Sequence, residues 1–422
     1  KGMIHAFFAE RASSKIPDIV QAQPRALKKI GVIGGGTMGA GITIAAMQAG
    51  FAVLMIERDD ASLGKGREYV GRVFDRDVEK GRLTNDKKKA VMNLYNGSTD
   101  YTALSDVDLV IEAVSEDMKT KKNVFKILDK VVPHGTILAS ITSHLNIDEI
   151  AEVTERPSHV IGLHFFFPAN LTKLLEIVIP KAVSAPVIAT GFELAKKLNK
   201  IPVRVGNCNG FIGNRIFSAC ADAAGFMMED GASPYEIDRA VKSFGYPMGP
   251  YQMFDHAGGD IGWVTRKRQL VSRVSNARYV EIADRLCERG WFGQKTGRGF
   301  YKYTSVVPRG AQDPEVLQII KHERDKKNIK PRKFTEREII QRYIAAMVNE
   351  GANVLHEGIA LRPSDIDVVK LHGYGFPRFR GGPMKYADTY GLKRMLGDLI
   401  EFAKEDSIFW KPSPLILDLV KA

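Results

Sequence analysis

Cysteine, clustered charge of one sign and uninterrupted apolar runs are all scarce in this 422-residue sequence. The three cysteines, Cys208, Cys220 and Cys287, are too few and too scattered for a disulfide framework or a zinc site, which favours a reducing compartment. Lys and Arg number 61 against 49 Asp and Glu, but the excess is spread along the chain. This distribution argues against nucleic acid as a partner and slightly favours a small anionic ligand.

One uncharged stretch is long enough to raise the question of a membrane span. Residues 31–56 are 26 residues without a charge, whereas a spanning helix needs about 20 apolar residues. Seven glycines interrupt the stretch, and three of them are consecutive. Because glycine breaks helices, the sequence predicts a strand, a turn, a helix and a second strand here, and no membrane span.

The remaining pattern divides the chain into segments. A length of 422 residues allows about two to four domains. Residues 1–25 are predicted to be a short helix and a linker. In residues 26–205, short β-rich runs alternate with helical stretches, which predicts an α/β domain of Rossmann type with a mostly parallel sheet. From residue 206 the pattern is helical, and it is divided into all-α segments 206–305 and 306–422. The predicted strands are residues 29–33, 52–57, 107–112, 136–140, 159–164 and 174–179.

The division of the helical part depends on an internal repeat. Residues 229–258 and 356–391 carry the same short motifs in the same order. The paired motifs are Ile237-Asp238 with Ile366-Asp367, a Gly-aromatic-Pro turn at 245–247 and 375–377, Gly249-Pro250 with Gly382-Pro383, and Asp255 with Asp388. The repeat predicts two tandem helical units.

The clearest chemical motif is a glycine-rich turn between the first predicted strand and helix. It has the form G-x-G-x-x-G, with Gly34, Gly36 and Gly39 at the glycine positions and Thr37-Met38 at the start of the helix. Gly34 allows a tight turn, Gly36 lets the backbone approach a pyrophosphate, and Gly39 lets helix and strand pack closely. The N–H groups at the helix start would bind the phosphates. The motif predicts a dinucleotide site.

Glu57 indicates which dinucleotide is bound. It ends the second predicted strand about 20 residues after the glycines, where a carboxylate can accept hydrogen bonds from the adenosine ribose hydroxyls and repels a 2′-phosphate. NAD is therefore favoured over NADP. The neighbouring Arg58 weakens this prediction, and Glu57 as a plain surface charge is the alternative.

A histidine and a glutamate form the candidate catalytic pair. His164 and Glu176 lie in the last two predicted strands, and an antiparallel turn near Asn170 would place them opposite each other. A carboxylate on one imidazole nitrogen fixes the tautomer, and the other nitrogen can then act as a base. From spacing alone, a buried structural histidine and glutamate are equally compatible with this pattern.

Two more polar residues are candidates with weaker signals. Ser143 follows the strand at 136–140, and the carboxyl ends of such strands face the ligand crevice. Asn214 lies near a helix start, where it could bind a ligand or serve as a packing or capping residue.

Together these motifs resemble the L-3-hydroxyacyl-CoA dehydrogenase family, particularly the dehydrogenase part of peroxisomal multifunctional β-oxidation enzymes. The resemblance covers nearly the whole chain and extends to both copies of the repeat, whereas the short dimeric dehydrogenases carry one copy. The segments that carry it are 34–39, 108–116, 162–168, 174–178 and 206–215.

The resemblance implies an activity and roles for individual residues. It implies NAD-dependent oxidation of (3S)-3-hydroxyacyl-CoA to 3-oxoacyl-CoA, with His164 as the base and Glu176 as its orienting partner. Ser143 and Asn214 would hold the substrate hydroxyl and thioester carbonyl. The resemblance also implies that Glu116 and Lys121 contact the nicotinamide ribose.

The resemblance also implies partners. These are an acyl-CoA substrate, an enoyl-CoA hydratase module that is either fused or separate, and a peroxisomal location. The chain's last three residues are no peroxisomal targeting tripeptide. We expect a monomer, because the second helical copy could occupy the surface that a second subunit would cover.

Two departures from the family pattern leave alternatives open. Ile141 replaces a usual asparagine and Phe167 a usual serine, which predicts either an impaired site or an altered substrate range. A catalytically silent binding or structural protein is therefore one alternative. A dehydrogenase acting on a free β-hydroxyacid is another, although such enzymes commonly use a lysine, and the His164 and Glu176 pair argues against it.

Overall fold

The computed structural model describes residues 1–269 and 276–421, and the chain forms two compact units. The α/β unit contains residues 3–214 and 357–374. The helical unit contains residues 1–2, 215–356 and 375–422. Within the described residues, no helix is both long and apolar enough to cross a bilayer.

An eight-stranded sheet forms the centre of the α/β unit, in the order β3-β2-β1-β4-β5-β6-β7-β8. Its strands are β1 (Lys29–Ile33), β2 (Ala52–Ile56), β3 (Tyr95–Ser98), β4 (Leu109–Glu112), β5 (Ile137–Ser140), β6 (Val160–Phe165), β7 (Leu174–Ile179) and β8 (Ile201–Gly206). Strands β1 to β6 are mutually parallel, and β7 pairs antiparallel with β6 and parallel with β8. The predicted Rossmann-type fold class is thereby confirmed, and the strand order reverses between β1 and β4, where such sheets bind ligands.

The sequence did not reveal two of these strands, β3 and β8. Both lie at the edges of the sheet. Edge strands need less apolar sequence than central ones, and β8 contains Pro202, which is tolerated at an edge. The central strands were recognised because they are apolar and buried, as in β4 and β5.

Helices connect the strands and make up most of the helical unit. In chain order they are α1 (Gly2–Ser13), α2 (Thr37–Gln48), α3 (Asp60–Glu79), α4 (Asn85–Met92), α5 (Met118–Val131), α6 (Ile147–Ala151), α7 (Ala185–Lys197), α8 (Gly213–Asp230), α9 (Pro234–Phe244), α10 (Pro250–Ala257), α11 (Gly259–Gln269), α12 (Ile282–Glu288), α13 (Pro314–Lys326), α14 (Glu336–His356), α15 (Pro363–Gly373), α16 (Pro383–Tyr390), α17 (Leu392–Phe402) and α18 (Pro414–Lys421). Short 3₁₀ turns occur at Pro17–Ile19, Tyr101–Leu104, Pro157–His159, Gln294–Thr296 and Arg378–Arg380.

Local sequence explains where many helices begin. The side chains of Asp59, Thr84 and Asp117 each accept a hydrogen bond from a backbone N–H in the first turn of α3, α4 and α5. Ser233 and Glu236 form a reciprocal capping box at the start of α9. Helix α2 differs from these, because it begins after Gly36 without a side-chain cap.

The helical region is not helical throughout, contrary to the sequence-based expectation. Strands β9 (Tyr301–Lys302) and β10 (Ala311–Gln312) form a small antiparallel pair. Each strand has only two residues, which is too short for a period-2 pattern to be recognised.

The compact units also follow different boundaries from the four predicted segments. The α/β unit includes nearly all of the predicted linker 1–25, and it includes α15 from the second copy of the repeat. Helix α15 packs against β7 and β8, so this part of the repeat completes the α/β unit. The division into 1–25, 26–205, 206–305 and 306–422 stays a prediction from sequence pattern.

Candidate active site

The glycine-rich turn joins β1 to α2 and has the geometry that its sequence predicts. Gly34 has a φ of +95°, which strongly favours glycine. A Cβ added to Gly39 would lie 1.8 Å from the Gly34 carbonyl oxygen, so the helix can approach the strand only with glycine at position 39. A Cβ at Gly36 would meet no atom within 4 Å, which leaves open space beside the backbone.

The start of α2 completes this phosphate cradle. No side chain caps it, so the backbone N–H groups of its first turn, which include those of Thr37 and Met38, can bind an anion. This combination of tight turn, open backbone and uncapped helix fits the pyrophosphate of a dinucleotide.

Glu57 lies beside this cradle, just after the end of β2. Its Oε1 accepts a hydrogen bond from the backbone N–H of Gly35 at 2.6 Å, and its Oε2 accepts one from the N–H of Arg58 at 3.1 Å. The exposed guanidinium of Arg58 turns to Asp59, with Nε 3.1 Å from Oδ2. The carboxylate keeps lone pairs for ribose hydroxyls, and the pairing of Arg58 with Asp59 weakens the argument for a 2′-phosphate.

A completely buried ion pair lies near the carboxyl ends of β4 and β5. Glu112, the last residue of β4, accepts a hydrogen bond from the ammonium group of Lys121 in α5 at 2.8 Å, and both side chains are fully buried. The other oxygen of Glu112 accepts a hydrogen bond from the hydroxyl of Ser140 at 2.7 Å. A buried carboxylate requires such partners, because an unpaired charge is very unfavourable away from water.

Glu116 links this pair to the turn after β5. Its Oε1 accepts hydrogen bonds from the Thr142 hydroxyl at 2.6 Å, the Ser143 N–H at 2.9 Å and the His144 N–H at 3.1 Å. Burial by itself raises the pKa of Glu116, but the nearby charge of Lys121 and these hydrogen bonds outweigh burial and bring the pKa below its usual value. Glu116 is therefore ionised, and it fixes the backbone at Ser143.

The two residues predicted to contact the nicotinamide ribose, Glu116 and Lys121, differ from each other in exposure. Glu116 is partly exposed, whereas Lys121 is fully buried, with Nζ 3.6 Å from Glu116 Oε2. In this structure Lys121 holds the carboxylates of Glu112 and Glu116. Its contact with the cofactor remains a prediction.

The antiparallel pairing of β6 and β7 places His164 directly opposite Glu176, as the spacing predicted. The Nδ1 of His164 lies 2.6 Å from Glu176 Oε2, and both residues are buried. The other oxygen of Glu176 accepts a hydrogen bond from the Gly213 N–H at 3.0 Å. Glu176 is thereby fixed on both sides, which leaves the Nε2 of His164 as the nitrogen for a reacting proton.

Among the described residues, Phe167, one of the two departures from the family pattern, is not one of the rings that pack against the imidazole. The aromatic neighbours of the His164 ring are Phe166 and Phe211, with ring centroids at 4.5 and 5.3 Å. Phe167 is 56% exposed. Ile141 is partly buried against the apolar core of the α/β unit.

Asn214 lies next to Gly213 in the first turn of α8. Its Oδ1 accepts a hydrogen bond from the hydroxyl of Tyr374 at 2.6 Å. The structure therefore connects His164, Glu176 and Asn214 through Gly213, although the two strands and the helix are separate in sequence.

Sequence analysis assigned no role to Glu112 or Tyr374. Glu112 could have been singled out, since it is a charge in an otherwise apolar strand. Tyr374 gave no signal, because it lies 160 residues from its partner Asn214.

Comparison with family profiles assigns both parts of the chain. The 3-hydroxyacyl-CoA dehydrogenase NAD binding domain matches residues 29–208, and the 3-hydroxyacyl-CoA dehydrogenase C-terminal domain matches residues 210–303 and again 339–422. The two C-terminal matches correspond to the internal repeat.

Individual relatives agree with this assignment. The peroxisomal bifunctional enzyme of Danio rerio is 41% identical over 99% of the chain, and the chain spans only 60% of that protein's length. The structure of 3-hydroxybutyryl-CoA dehydrogenase from Escherichia coli K12 is similar over 93% of this chain and 98% of its own, with a TM-score of 0.80 and 26% identity. The dehydrogenase part of multifunctional enzyme 1 from C. elegans is similar over 98% of this chain and 96% of its own, with a TM-score of 0.70 and 28% identity.

Proposed function

Because the chain belongs to the 3-hydroxyacyl-CoA dehydrogenase family, we propose that it oxidises (3S)-3-hydroxyacyl-CoA to 3-oxoacyl-CoA with NAD. The observation that carries this proposal is the buried pair of His164 and Glu176, with Nδ1 2.6 Å from Oε2, in the same unit as the dinucleotide cradle. A base and a dinucleotide site are the two parts that oxidation of an alcohol requires.

His164 takes the hydroxyl proton on Nε2. Glu176 accepts the hydrogen bond from Nδ1–H, orients the ring and stabilises the imidazolium that forms. Glu176 keeps this orientation because the Gly213 N–H holds its second oxygen. Burial of both groups strengthens their electrostatic interaction.

Ser143 and Asn214 bind the substrate oxygens in this proposal. Glu116 holds the backbone of Ser143, and Tyr374 contacts Asn214. Binding and orientation of the substrate on these groups reduce the entropic part of the barrier.

The residues present fit NAD. The cradle at Gly34, Gly36 and Gly39 would hold the pyrophosphate, and Glu57 would hold the adenosine ribose. When bound, the nicotinamide supplies the acceptor for the hydride that leaves C3 of the substrate.

Oxidation of NADH in the presence of acetoacetyl-CoA, which is the reverse reaction, tests the proposal. Turnover is expected with acetoacetyl-CoA and not with free acetoacetate. Turnover of the free acid alone would indicate a dehydrogenase of free β-hydroxyacids. Absence of turnover with both, in a folded protein that binds NAD, would indicate a silent binding protein.

The whole protein's setting is a further part of this proposal. Relatives named peroxisomal bifunctional enzyme are longer than this chain, so we propose a peroxisomal location and a fused or separate hydratase module that supplies the 3-hydroxyacyl-CoA. A monomer remains the predicted state, and light scattering after gel filtration tests it.

A further inference from the structure

The second copy of the repeat supplies a tyrosine to the candidate active site. Tyr374 directly follows α15, and its hydroxyl donates a hydrogen bond to Asn214 Oδ1 at 2.6 Å. Both residues belong to the α/β unit. Asn214 is the residue that would bind a substrate oxygen, so its orientation matters for the reaction.

The length of this hydrogen bond indicates which way the amide faces. A separation of 2.6 Å is typical of O–H···O bonds, whereas N–H···O bonds are usually about 2.9–3.0 Å long. The carbonyl oxygen of Asn214 therefore faces Tyr374, and the amide NH₂ group faces away from it. Burial and the charge of Glu176 raise the pKa of Tyr374 well above its ordinary value, so its hydroxyl stays a neutral donor.

Packing fixes the tyrosine ring in place. Its ring meets Phe166 edge to face at a centroid distance of 5.7 Å, and the ammonium group of Lys370 lies 3.9 Å from its centroid. A Cβ added to Gly213 would lie 2.6 Å from the Tyr374 hydroxyl. Glycine at position 213 thus leaves room for the tyrosine, while its backbone N–H holds Glu176.

We propose that Tyr374 is a positioning residue for the reaction: it holds the Asn214 amide so that the NH₂ group, and not the carbonyl oxygen, meets the substrate oxygen. This inference rests on the proposed function. Without the hydroxyl, the amide can rotate by half a turn, and its oxygen then opposes the lone pairs of the substrate oxygen. In the first copy of the repeat, Phe244 occupies the place before the Gly-aromatic-Pro turn and carries no hydroxyl.

Kinetics of Tyr374→Phe test the proposal, because this change removes only the hydroxyl. We expect kcat/KM for 3-hydroxybutyryl-CoA to fall about 3- to 10-fold and the KM for NAD to stay unchanged. In an Asn214→Ala background the same change should have no further effect, because the group to be oriented is gone. The matched control is Tyr251→Phe, which removes a buried hydroxyl without a hydrogen-bond partner among the described residues.

A second measurement keeps the proposal testable apart from activity. In protein with isotope-labelled asparagine, the NH₂ resonances of Asn214 are those that Asn214→Ala removes. They should shift in Tyr374→Phe and not in Tyr251→Phe. Asn214 resonances that do not shift in Tyr374→Phe would overturn the role of Tyr374. Kinetic effects of Tyr374→Phe and Asn214→Ala that multiply in the double variant would also overturn it. A wild-type protein without activity on acyl-CoA would instead refute the proposed function. The resonances would still show whether the Tyr374 hydroxyl contacts the Asn214 amide.

Discussion

Two pairs of buried carboxylates, one pair in each compact unit, serve different purposes. In the α/β unit, Glu112 and Glu176 each contact another ionisable side chain, Lys121 and His164 respectively. In the helical unit, the groups that donate hydrogen bonds to Asp238 and Asp255 are neutral. Asp255 accepts hydrogen bonds from the backbone N–H groups of Phe300 and Tyr301 and from the Tyr303 hydroxyl.

Asp238 shows the same arrangement as Asp255. It accepts hydrogen bonds from the first N–H groups of α10, at Tyr251 and Gln252, and from the hydroxyl of Tyr301. A carboxylate among neutral donors stabilises a helix start or a turn. A carboxylate on an imidazole or an ammonium group can also take part in proton transfer or ligand binding. The difference lies in the partner and not in the carboxylate.

The two copies of the repeat show how a shared motif acquires different partners. Asp255 is 3% exposed, whereas its counterpart Asp388 is exposed and, among the described residues, forms one ion pair, with Lys385 at 3.6 Å. Asp238 caps α10 in the helical unit, whereas its counterpart Asp367 lies in the α/β unit, 2.7 Å from His5 Nε2.

The largest expected effect is on activity in the α/β unit. His164→Gln should lower kcat by about 10²- to 10⁴-fold, because the base is lost, while NAD affinity and the unfolding temperature stay close to wild type. Steady-state kinetics, NAD titration and thermal unfolding measure the three quantities. A variant retaining more than about half of the wild-type kcat would remove His164 from the mechanism.

The next effect is on the stability of the helical unit. Asp255→Ala leaves two buried N–H donors and one partly buried hydroxyl without their acceptor, so the free energy of unfolding should fall by about 3 kcal/mol. That corresponds to a decrease in Tm of about 6–12 °C. Asp388→Ala is the matched control from the other copy, and it should change stability by less than about 0.5 kcal/mol. Equal effects in calorimetry would contradict the distinction between the copies.

A smaller effect concerns cofactor choice. Glu57→Ala should weaken NAD binding by about 1–2 kcal/mol, because the hydrogen bonds to ribose and to Gly35 are lost, and should improve NADP in relative terms. The ratio of kcat/KM for NAD and NADP measures this change. An unchanged ratio would show that Glu57 does not contact the ribose.

The last prediction concerns the pH dependence of stability in the helical unit. Burial raises the pKa of Asp238 to about 6, against about 3.8 for an exposed aspartate. A folded-state pKa above the unfolded one means that the contribution of this group to stability is complete below about pH 4 and is lost as the pH rises through 6. The free energy of unfolding of wild type minus that of Asp238→Asn should therefore fall between pH 4 and pH 7. A difference that is constant or rises would show that the hydrogen bonds to Asp238 outweigh its burial.

Sequence alone determined the features that depend on neighbouring residues. The apolar central strands, the glycine turn at 34–39 and the duplicated motifs are local patterns with direct physical causes. An antiparallel turn near Asn170 sufficed to predict that His164 lies opposite Glu176. Tertiary structure decided which distant groups meet. Glu112 in β4 meets Lys121 in α5, which is a different element, and Tyr374 meets Asn214 because α15 packs against β7 and β8. Such partners follow from the packing of whole helices and strands, to which every residue of an element contributes, so no short motif contains them.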